Sequence, residues 1–176
     1  KNLGAATTVA RIDTYEFMDP ANAAHVRHMG VDRVIYPEYL AAQEIISALK
    51  RTWARNWFEL HNGRIILAGV KLRQGAPIVG MKLKDFAFTN RNFHVSAIKR
   101  NHETIIPRGD DHIDAGDILY FNTTRDHIEE LISLAGKCEQ HIRRVLIMGG
   151  SKIAIRLVNL GHDEFKFKII ESNLER

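Results

Sequence analysis

The stretch Val145–Glu171, VLIMGGSKIAIRLVNLGHDEFKFKIIE, decides the fold of this chain. An apolar run ends abruptly at Gly149-Gly150, and a segment with apolar residues at helical spacing follows. We expect that helix to stop at Gly161, since helices commonly end at glycine. A second apolar strand follows and ends on an acid, Glu171. This order of strand, glycine turn, helix, strand and acid is typical of the opening of a dinucleotide-binding unit.

The chemistry of this unit suits a nucleotide. Glycine lets a phosphate approach the backbone closely, and the helix N-terminus offers it unpaired N–H groups. Glu171 lies 22 residues after Gly149, and an acid about 20 residues after the first glycine can accept hydrogen bonds from ribose hydroxyls. Ala154 is allowed at the third glycine position, whereas Ser151 at the second would crowd a pyrophosphate. The alternative is an ordinary βαβ unit with a glycine turn.

Composition limits the class of protein. A chain of 176 residues has room for one or two domains. The net charge is only +4 and no dense basic run occurs, so nucleic-acid binding is not indicated. The single cysteine, Cys138, allows no internal disulfide and fits a reducing compartment. No apolar stretch approaches the ~20 residues that span a bilayer.

The first 50 residues predict the tail of a doubly wound domain. Strands are predicted at Thr7–Ile12 and Val31–Tyr36, and Pro37–Arg51 is predicted as a helix with proline at its start. A complete doubly wound domain needs more strands than those before Pro37 or those around Glu171. We therefore expect the chain to be part of a longer protein.

In residues 57–121 the pattern changes from alternating strands and helices to mainly short strands. Together with the helix after them, these residues are predicted to form a small α+β domain. Trp57–Leu60 and Ile65–Val70 flank an Asn-Gly pair, which is a strong hairpin signal. A short helix is predicted at Pro77–Leu83, and a later helix is predicted to be capped by Asp126. Three more strands lie between these helices, so the predicted order is β-β-α-β-β-β-α.

These blocks, in this order, resemble the TrkA family, which is built from RCK (regulator of potassium conductance) domains. The resemblance rests on VIYPE at Val34–Glu38, FELHNGRIILAGVKL at Phe58–Leu72, PIVGMKLKD at Pro77–Asp85 and IPRGDDHIDAGDILYF at Ile106–Phe121. In this family a Rossmann-like RCK-N domain precedes a small RCK-C domain, and the pair is often repeated.

The resemblance implies a fold of the mixed α/β and α+β class, with partial Rossmann-like segments flanking a small domain. Residues 1–53 would be the C-terminal part of an RCK-N domain with its crossover helix. Residues 54–140 would be a whole RCK-C (TrkA-C) domain. Residues 141–176 would be the opening βαβ of a second, truncated RCK-N domain.

The resemblance also implies nucleotide-dependent regulation without catalysis. RCK-N domains bind NAD(H) or ATP/ADP, and Glu171 would hold the adenosine ribose. The residues that match the phosphate-binding motif are Gly149, Gly150, Ser151, Lys152 and Ile153. Arg11 matches a phosphate-proximal arginine that follows a late RCK-N strand. Some RCK-C domains bind cyclic di-AMP between two protomers, although no motif here assigns residues to it.

The partner implied by the resemblance is the membrane subunit of a Trk/Ktr potassium channel. The protein would be cytoplasmic and peripheral on the inner face of the membrane through that partner. The crossover helix Pro37–Arg51 would pack against another subunit, which implies a homodimer or a higher oligomer. Three alternatives stay open: a nicotinamide-dependent oxidoreductase, an RCK regulator of a different cation channel or antiporter, and a structural adaptor whose site is degenerate at Ser151.

Histidines beside acidic residues suggest a metal site as a further interpretation. His102 and His112 lie near four aspartates, Asp110, Asp111, Asp114 and Asp117, and such side chains can bind divalent cations. A solvated acidic loop between two strands is the interpretation that we favour. No metal ligand is therefore assigned.

Overall fold

The computed structural model describes residues 4–173, which form two compact units. The strands are β1 Val9–Arg11, β2 Arg33–Ile35, β3 Asn56–Leu60, β4 Ile65–Lys71, β5 His94–Arg100, β6 Glu103–Ile105, β7 Ile118–Thr123, β8 Arg144–Met148 and β9 Lys166–Ile170. The α-helices are α1 Ala23–His28, α2 Pro37–Lys50, α3 Leu83–Thr89, α4 Ile128–Leu134 and α5 Lys152–Gly161. We call residues 4–46 with 142–173 the split unit, and residues 47–141 the continuous unit.

The continuous unit is built on one antiparallel sheet in the order β3-β4-β7-β5-β6. Its elements follow the predicted order β-β-α-β-β-β-α. The hairpin between β3 and β4 turns through His61, Asn62 and Gly63, which all have positive φ. Such angles are uncommon for side chains other than asparagine and aspartate, and glycine adopts them freely. The hairpin predicted from the Asn-Gly pair is confirmed.

One face of this sheet and the helices α3 and α4 enclose the core. Phe121 lies at its centre, with its ring centroid 6.0 Å from that of Phe86 and 6.5 Å from that of Phe93. The inward residues of the central strands are fully buried: Ile66, Ala68, Val70, Leu119 and Phe121. Alternation along β4 and β7 therefore places every second side chain in the core.

Two local predictions in the continuous unit are wrong. Residues 77–80 form turns rather than a helix, because Gly80 has φ +88° and its N–H donates to the carbonyl of Ile113 at 2.8 Å. The helix α3 instead begins at Leu83. Asp126 does not cap a helix; it lies inside the 3-10 turn Arg125–His127, and α4 starts after that turn without a side-chain cap.

The split unit contains two pairs of parallel strands, β1 with β2 and β8 with β9. Each pair is connected through helical segments, as parallel strands require. The first connection has two 3-10 turns, Tyr15–Met18 and Pro20–Asn22, before α1. The second connection is α5, whose buried residues are Ala154, Leu157 and Gly161. The mixed α/β and α+β fold class is thus confirmed.

Gly161 ends α5, as predicted, but without the left-handed conformation that glycine commonly adopts at a helix end. It is the last residue of α5, and the following residue, His162, has ordinary helical angles. A Cβ atom on Gly161 would come within 2.5 Å of Ile46 Cδ1 and 3.0 Å of Phe167 Cζ. Glycine therefore lets α5 lie close to α2 and β9, and a larger residue would displace the side chains of Ile46 and Phe167. None of the helices in residues 4–173 combines the length and the apolar character needed to cross a membrane.

Candidate functional site

The glycine turn joins β8 to α5 beside the end of β9. Met148 pairs with Ile170 in the parallel register, and the Gly149 N–H donates to the Ile170 carbonyl at 2.7 Å. Gly149 has φ +106°, a conformation that strongly favours glycine. The first glycine is therefore needed to turn the chain sharply at the strand end.

Glu171 lies directly on this turn. Its Oε2 accepts a hydrogen bond from the Gly150 N–H at 2.5 Å, and its Oε1 accepts one from the Asn173 N–H at 2.8 Å. A Cβ atom on Gly150 would lie 3.1 Å from that Oε2, so the second glycine leaves room for the carboxylate. The acid and the glycine turn are thus brought together across 21 residues of sequence.

Ser151 occupies the N-cap of α5. Its side-chain oxygen accepts from the Ala154 N–H at 3.3 Å, and its φ of −69° suits any residue. Serine fits at the second position of the fingerprint because the backbone there needs no positive φ and the hydroxyl caps the helix. Ala154, at the third position, is only 3% exposed, which agrees with close packing of the helix on the strands.

The remaining predicted residues lie near the turn or apart from it. Lys152 begins α5, and its ammonium donates to the Asp13 carbonyl at 3.0 Å. Ile153 is half-buried in the first turn of the helix. Arg11 is exposed on β1, opposite Ile35, and so belongs to the other strand pair of the split unit. The structure brings together the glycine turn and Glu171 but places Arg11 on a different sheet.

Sequence reasoning missed an aromatic contact on the same helix. The Arg156 guanidinium lies 4.4 Å from the ring centroid of Tyr15 and 5.7 Å from that of Tyr36. Tyr15 also packs near Tyr36 and Tyr39, with ring centroids 6.3 and 6.2 Å apart. The only available signal was an arginine four residues after Lys152, which places both cations on one side of α5.

The continuous unit has a second concave site, a pocket of about 170 Å³ between α3, β5 and the loop before β7. Apolar side chains line it, including Phe86, Phe93 and Val95, and cationic residues stand at Lys84 and Arg108. Asp110 accepts a hydrogen bond from the Lys84 ammonium at 2.8 Å, and this bond raises the pKa of Lys84 and lowers that of Asp110. The pocket therefore combines an apolar surface with positive charge that is partly neutralised.

The acidic loop of this unit is held by Arg100. The guanidinium donates to both carboxylate oxygens of Asp117, at 2.9 and 2.8 Å, and also contacts Asp114 at 2.9 Å. Asp117 is 1% exposed, and its hydrogen bonds raise the pKa of Arg100. Across residues 4–173, no three His, Cys, Asp or Glu side chains converge as a metal ion would require.

Comparisons with known proteins show that the chain is similar to TrkA proteins. Residues 67–136 match the model of the TrkA-C domain family. The chain is 31% identical over 175 residues to the Trk system potassium uptake protein TrkA of Halomonas elongata, covering 97% of this chain and 38% of the relative. The chain thus spans well under half the length of that relative.

Solved structures agree on the fold. The crystal structure of the GsuK RCK domain superposes with a TM-score of 0.52 at 12% identity, covering 95% of this chain and 41% of that one. A GsuK channel bound to NAD superposes with a TM-score of 0.51 at 12% identity, covering 97% of this chain and 33% of that one. The chain is therefore similar to TrkA over nearly its whole length, matches the TrkA-C domain at residues 67–136, and has the fold of an RCK domain.

Proposed function

We propose that this protein is a nucleotide-responsive regulatory subunit that controls potassium uptake through a Trk/Ktr-type membrane channel or transporter. The observation that supports this most strongly is the glycine turn with Glu171 hydrogen-bonded to it at the start of α5. The TrkA name of the relative from Halomonas elongata supports the potassium system. No acid/base pair that could carry out catalysis is needed for this role, and we propose that the protein is not an enzyme.

The proposed ligand is NAD(H) or ATP/ADP. Its phosphates would lie against residues 149–153, where the N-terminus of α5 presents N–H groups and the positive end of the helix dipole. The Glu171 carboxylate would accept hydrogen bonds from the adenosine ribose hydroxyls. Since Glu171 already accepts from the Gly150 N–H, the same contact positions the acid at the turn. Arg11 would approach the phosphates of a nucleotide in the first RCK-N domain.

We propose the same domain boundaries that the family resemblance implies. Residues 1–53 would belong to one RCK-N domain, residues 54–140 to the RCK-C domain, and residues 141–176 to a second RCK-N domain. Cyclic di-AMP is a second candidate ligand, and the observation that favours it is the apolar pocket with Lys84 and Arg108 in the continuous unit. An adenine ring suits the apolar lining, and a phosphate suits the cations.

A homo-oligomer docked on the inner face of the membrane is also part of the proposal. Helix α2 presents Leu40, 50% exposed, and Ile45, 38% exposed. These side chains would be covered by another subunit. Light scattering of the protein over a hundredfold dilution tests the point, and a monomer mass at every concentration would contradict it.

The deciding experiment is calorimetric titration of NADH, NAD, ATP and cyclic di-AMP into the full-length protein. We expect NAD(H) or ATP to bind, and we expect Glu171→Ala to weaken that binding by about tenfold or more, as loss of charge-assisted hydrogen bonds does. Asp163→Asn is the matched control, because Asp163 is an exposed acid beyond the other end of α5.

Three other outcomes distinguish the alternatives. Binding of cyclic di-AMP alone would assign the regulatory switch to the continuous unit and make the glycine turn a scaffold. Absence of any binding would favour a structural adaptor. Oxidation of NADH in the presence of small carbonyl compounds would favour an oxidoreductase, since the same βαβ unit serves both classes.

A further inference from the structure

Helix α5 contacts the first segment of the split unit, residues 9–46, at three positions along its length. Lys152 at the start of the helix bonds to the Asp13 carbonyl, Arg156 lies over Tyr15 and Tyr36, and Gly161 at the end is approached by Ile46. Lys152 and Arg156, four positions apart, lie on one side of the helix, whereas Gly161 lies on another. The helix that begins at the glycine turn is therefore held along its length by the first segment.

The contact of Arg156 is the most specific of the three. Its guanidinium stacks near two aromatic rings, and Tyr36 is only 2% exposed. The Nε atom of Arg156 is buried and finds no hydrogen-bond partner among residues 4–173. The attraction between the cation and the two rings thus stabilises the guanidinium on the side where Nε has no hydrogen bond.

Tyr15 and Tyr36 connect α5 to two other elements, β1 and α2. Tyr36 directly precedes α2, and its carbonyl accepts from the N–H groups of Tyr39 and Leu40 in the first turn of that helix. Tyr15 opens the 3-10 turn that follows β1. A shift of α5 would therefore displace the residues at the start of α2 and at the end of β1.

We propose that α5 transmits nucleotide occupancy of the glycine turn to the first segment, with Arg156 as the positioning residue; this inference rests on the proposed function. A phosphate bound at residues 149–153 would attract Lys152 away from the Asp13 carbonyl. Because α5 is a single ten-residue helix, its adjustment would move Arg156 against Tyr15 and Tyr36. A ligand shifts such an equilibrium only by its different affinity for the two arrangements.

The test is amide hydrogen exchange of the full-length protein with and without NADH or ATP. The probes are three hydrogen-bonded amides outside the candidate site, those of Ile12, Tyr39 and Leu40. In the wild type we expect nucleotide to change their exchange rates by about fivefold or more, the lower end of ordinary allosteric coupling. In Arg156→Met the change should fall below about twofold, while the nucleotide dissociation constant stays within about threefold of wild type.

Conservative variants separate a specific cation–ring contact from general packing. Arg156→Lys keeps the charge and should retain part of the response, and Tyr15→Phe keeps the ring and should retain all of it. Tyr15→Leu, which removes the ring, should lose the response. Arg143→Met is the matched control, because Arg143 is an exposed arginine of the same unit, and it should respond like the wild type.

The outcomes that overturn the inference differ from those that overturn the proposed function. A wild-type protein that binds nucleotide without change at the three amides would refute coupling through α5. So would a full response in Arg156→Met, or equal responses in Tyr15→Leu and Tyr15→Phe. A flat binding isotherm for every nucleotide would refute the nucleotide-dependent function itself, and the coupling with it.

Discussion

At the scale of single residues, the buried carboxylate of Asp117 is the most consequential charge of the TrkA-C domain. It is 1% exposed, and its two oxygens accept hydrogen bonds from Nε and Nη2 of Arg100. We expect Asp117→Asn to lower the free energy of unfolding by about 1–3 kcal/mol, because a guanidinium then faces an amide that cannot accept from it twice. Asp114→Asn removes an exposed partner of the same arginine and should cost less than about 1 kcal/mol. Equal losses in denaturant unfolding would contradict the importance of burial.

Glu59 provides a pH-dependent contact at a single indole group. A hydrogen bond from Trp57 Nε1 at 3.0 Å lowers the pKa of Glu59 most, and Arg125 and Arg51 lower it further, while burial acts in the opposite direction. An acid with a lowered pKa contributes stability above its ordinary pKa and loses it as pH falls through the lowered value. We expect the Trp57 indole N–H resonance to titrate at a pH below 4.5. Glu59→Gln should abolish this titration, and the Trp53 indole serves as an internal control.

At the scale of elements, the close approach of α5 to α2 makes Gly161 sensitive to one methyl group. Alanine in a helix is favoured over glycine by about 1 kcal/mol, but here its Cβ would lie 2.5 Å from Ile46 Cδ1. Overpacking typically costs about 1–3 kcal/mol, so we expect Gly161→Ala to destabilise the protein. Ile46→Val removes the clashing methyl and should recover part of the loss. Asn159→Ala, at an exposed position of the same helix, is the control and should be neutral or slightly stabilising.

The elements also show what sequence could and could not predict. Local signals were sufficient to predict a turn where its backbone angles favour one residue type, as in the Asn62-Gly63 hairpin or the glycine turn. The predicted helix at Pro77–Leu83 is wrong because apolar spacing resembles helical spacing over a short range, whereas the positive φ of Gly80 and its hydrogen bond to the Ile113 carbonyl exclude a helix. The helix end at Gly161 was predicted correctly, but the close contact of Gly161 with Ile46 was not, because Ile46 is distant in sequence. The spacing of Lys152 and Arg156 places both cations on one side of α5, but it does not predict that Arg156 contacts Tyr15, which is distant in sequence.

The candidate site follows the same division. Gly149, Gly150 and Glu171 could be assigned from spacing, because a strand, a helix and a strand of ordinary length bring the acid back to the turn. The capping role of Ser151 and the bond from Lys152 to Asp13 depend on how the chain packs. Spacing therefore predicts which residues meet within one βαβ unit. It does not predict which of these side chains form hydrogen bonds with a segment that is distant in sequence, as Lys152 does with Asp13.

At the scale of the whole molecule, the two units differ in how they bury apolar surface. The core cluster of the continuous unit lies entirely between Trp53 and Ala135. In the split unit, by contrast, strands β8 and β9 expose large apolar side chains, among them Leu146 at 58%, Met148 at 85% and Ile170 at 52%. A two-stranded sheet is at best marginally stable on its own. The continuous unit therefore carries its own stability, whereas β8 and β9 depend on other parts of the protein.

We therefore expect residues 47–141 to fold when expressed alone and residues 142–173 to remain unfolded. Residues 47–141 should give dispersed amide resonances and one cooperative denaturant transition, because the residues of their core all lie within this range. Phe121→Ala, which empties the centre of that core, should cost about 3–5 kcal/mol and unfold the isolated segment or nearly so. If residues 47–141 alone gave collapsed resonances, their core would need the split unit to form. The TrkA-C domain could then not respond to a ligand independently of the glycine turn.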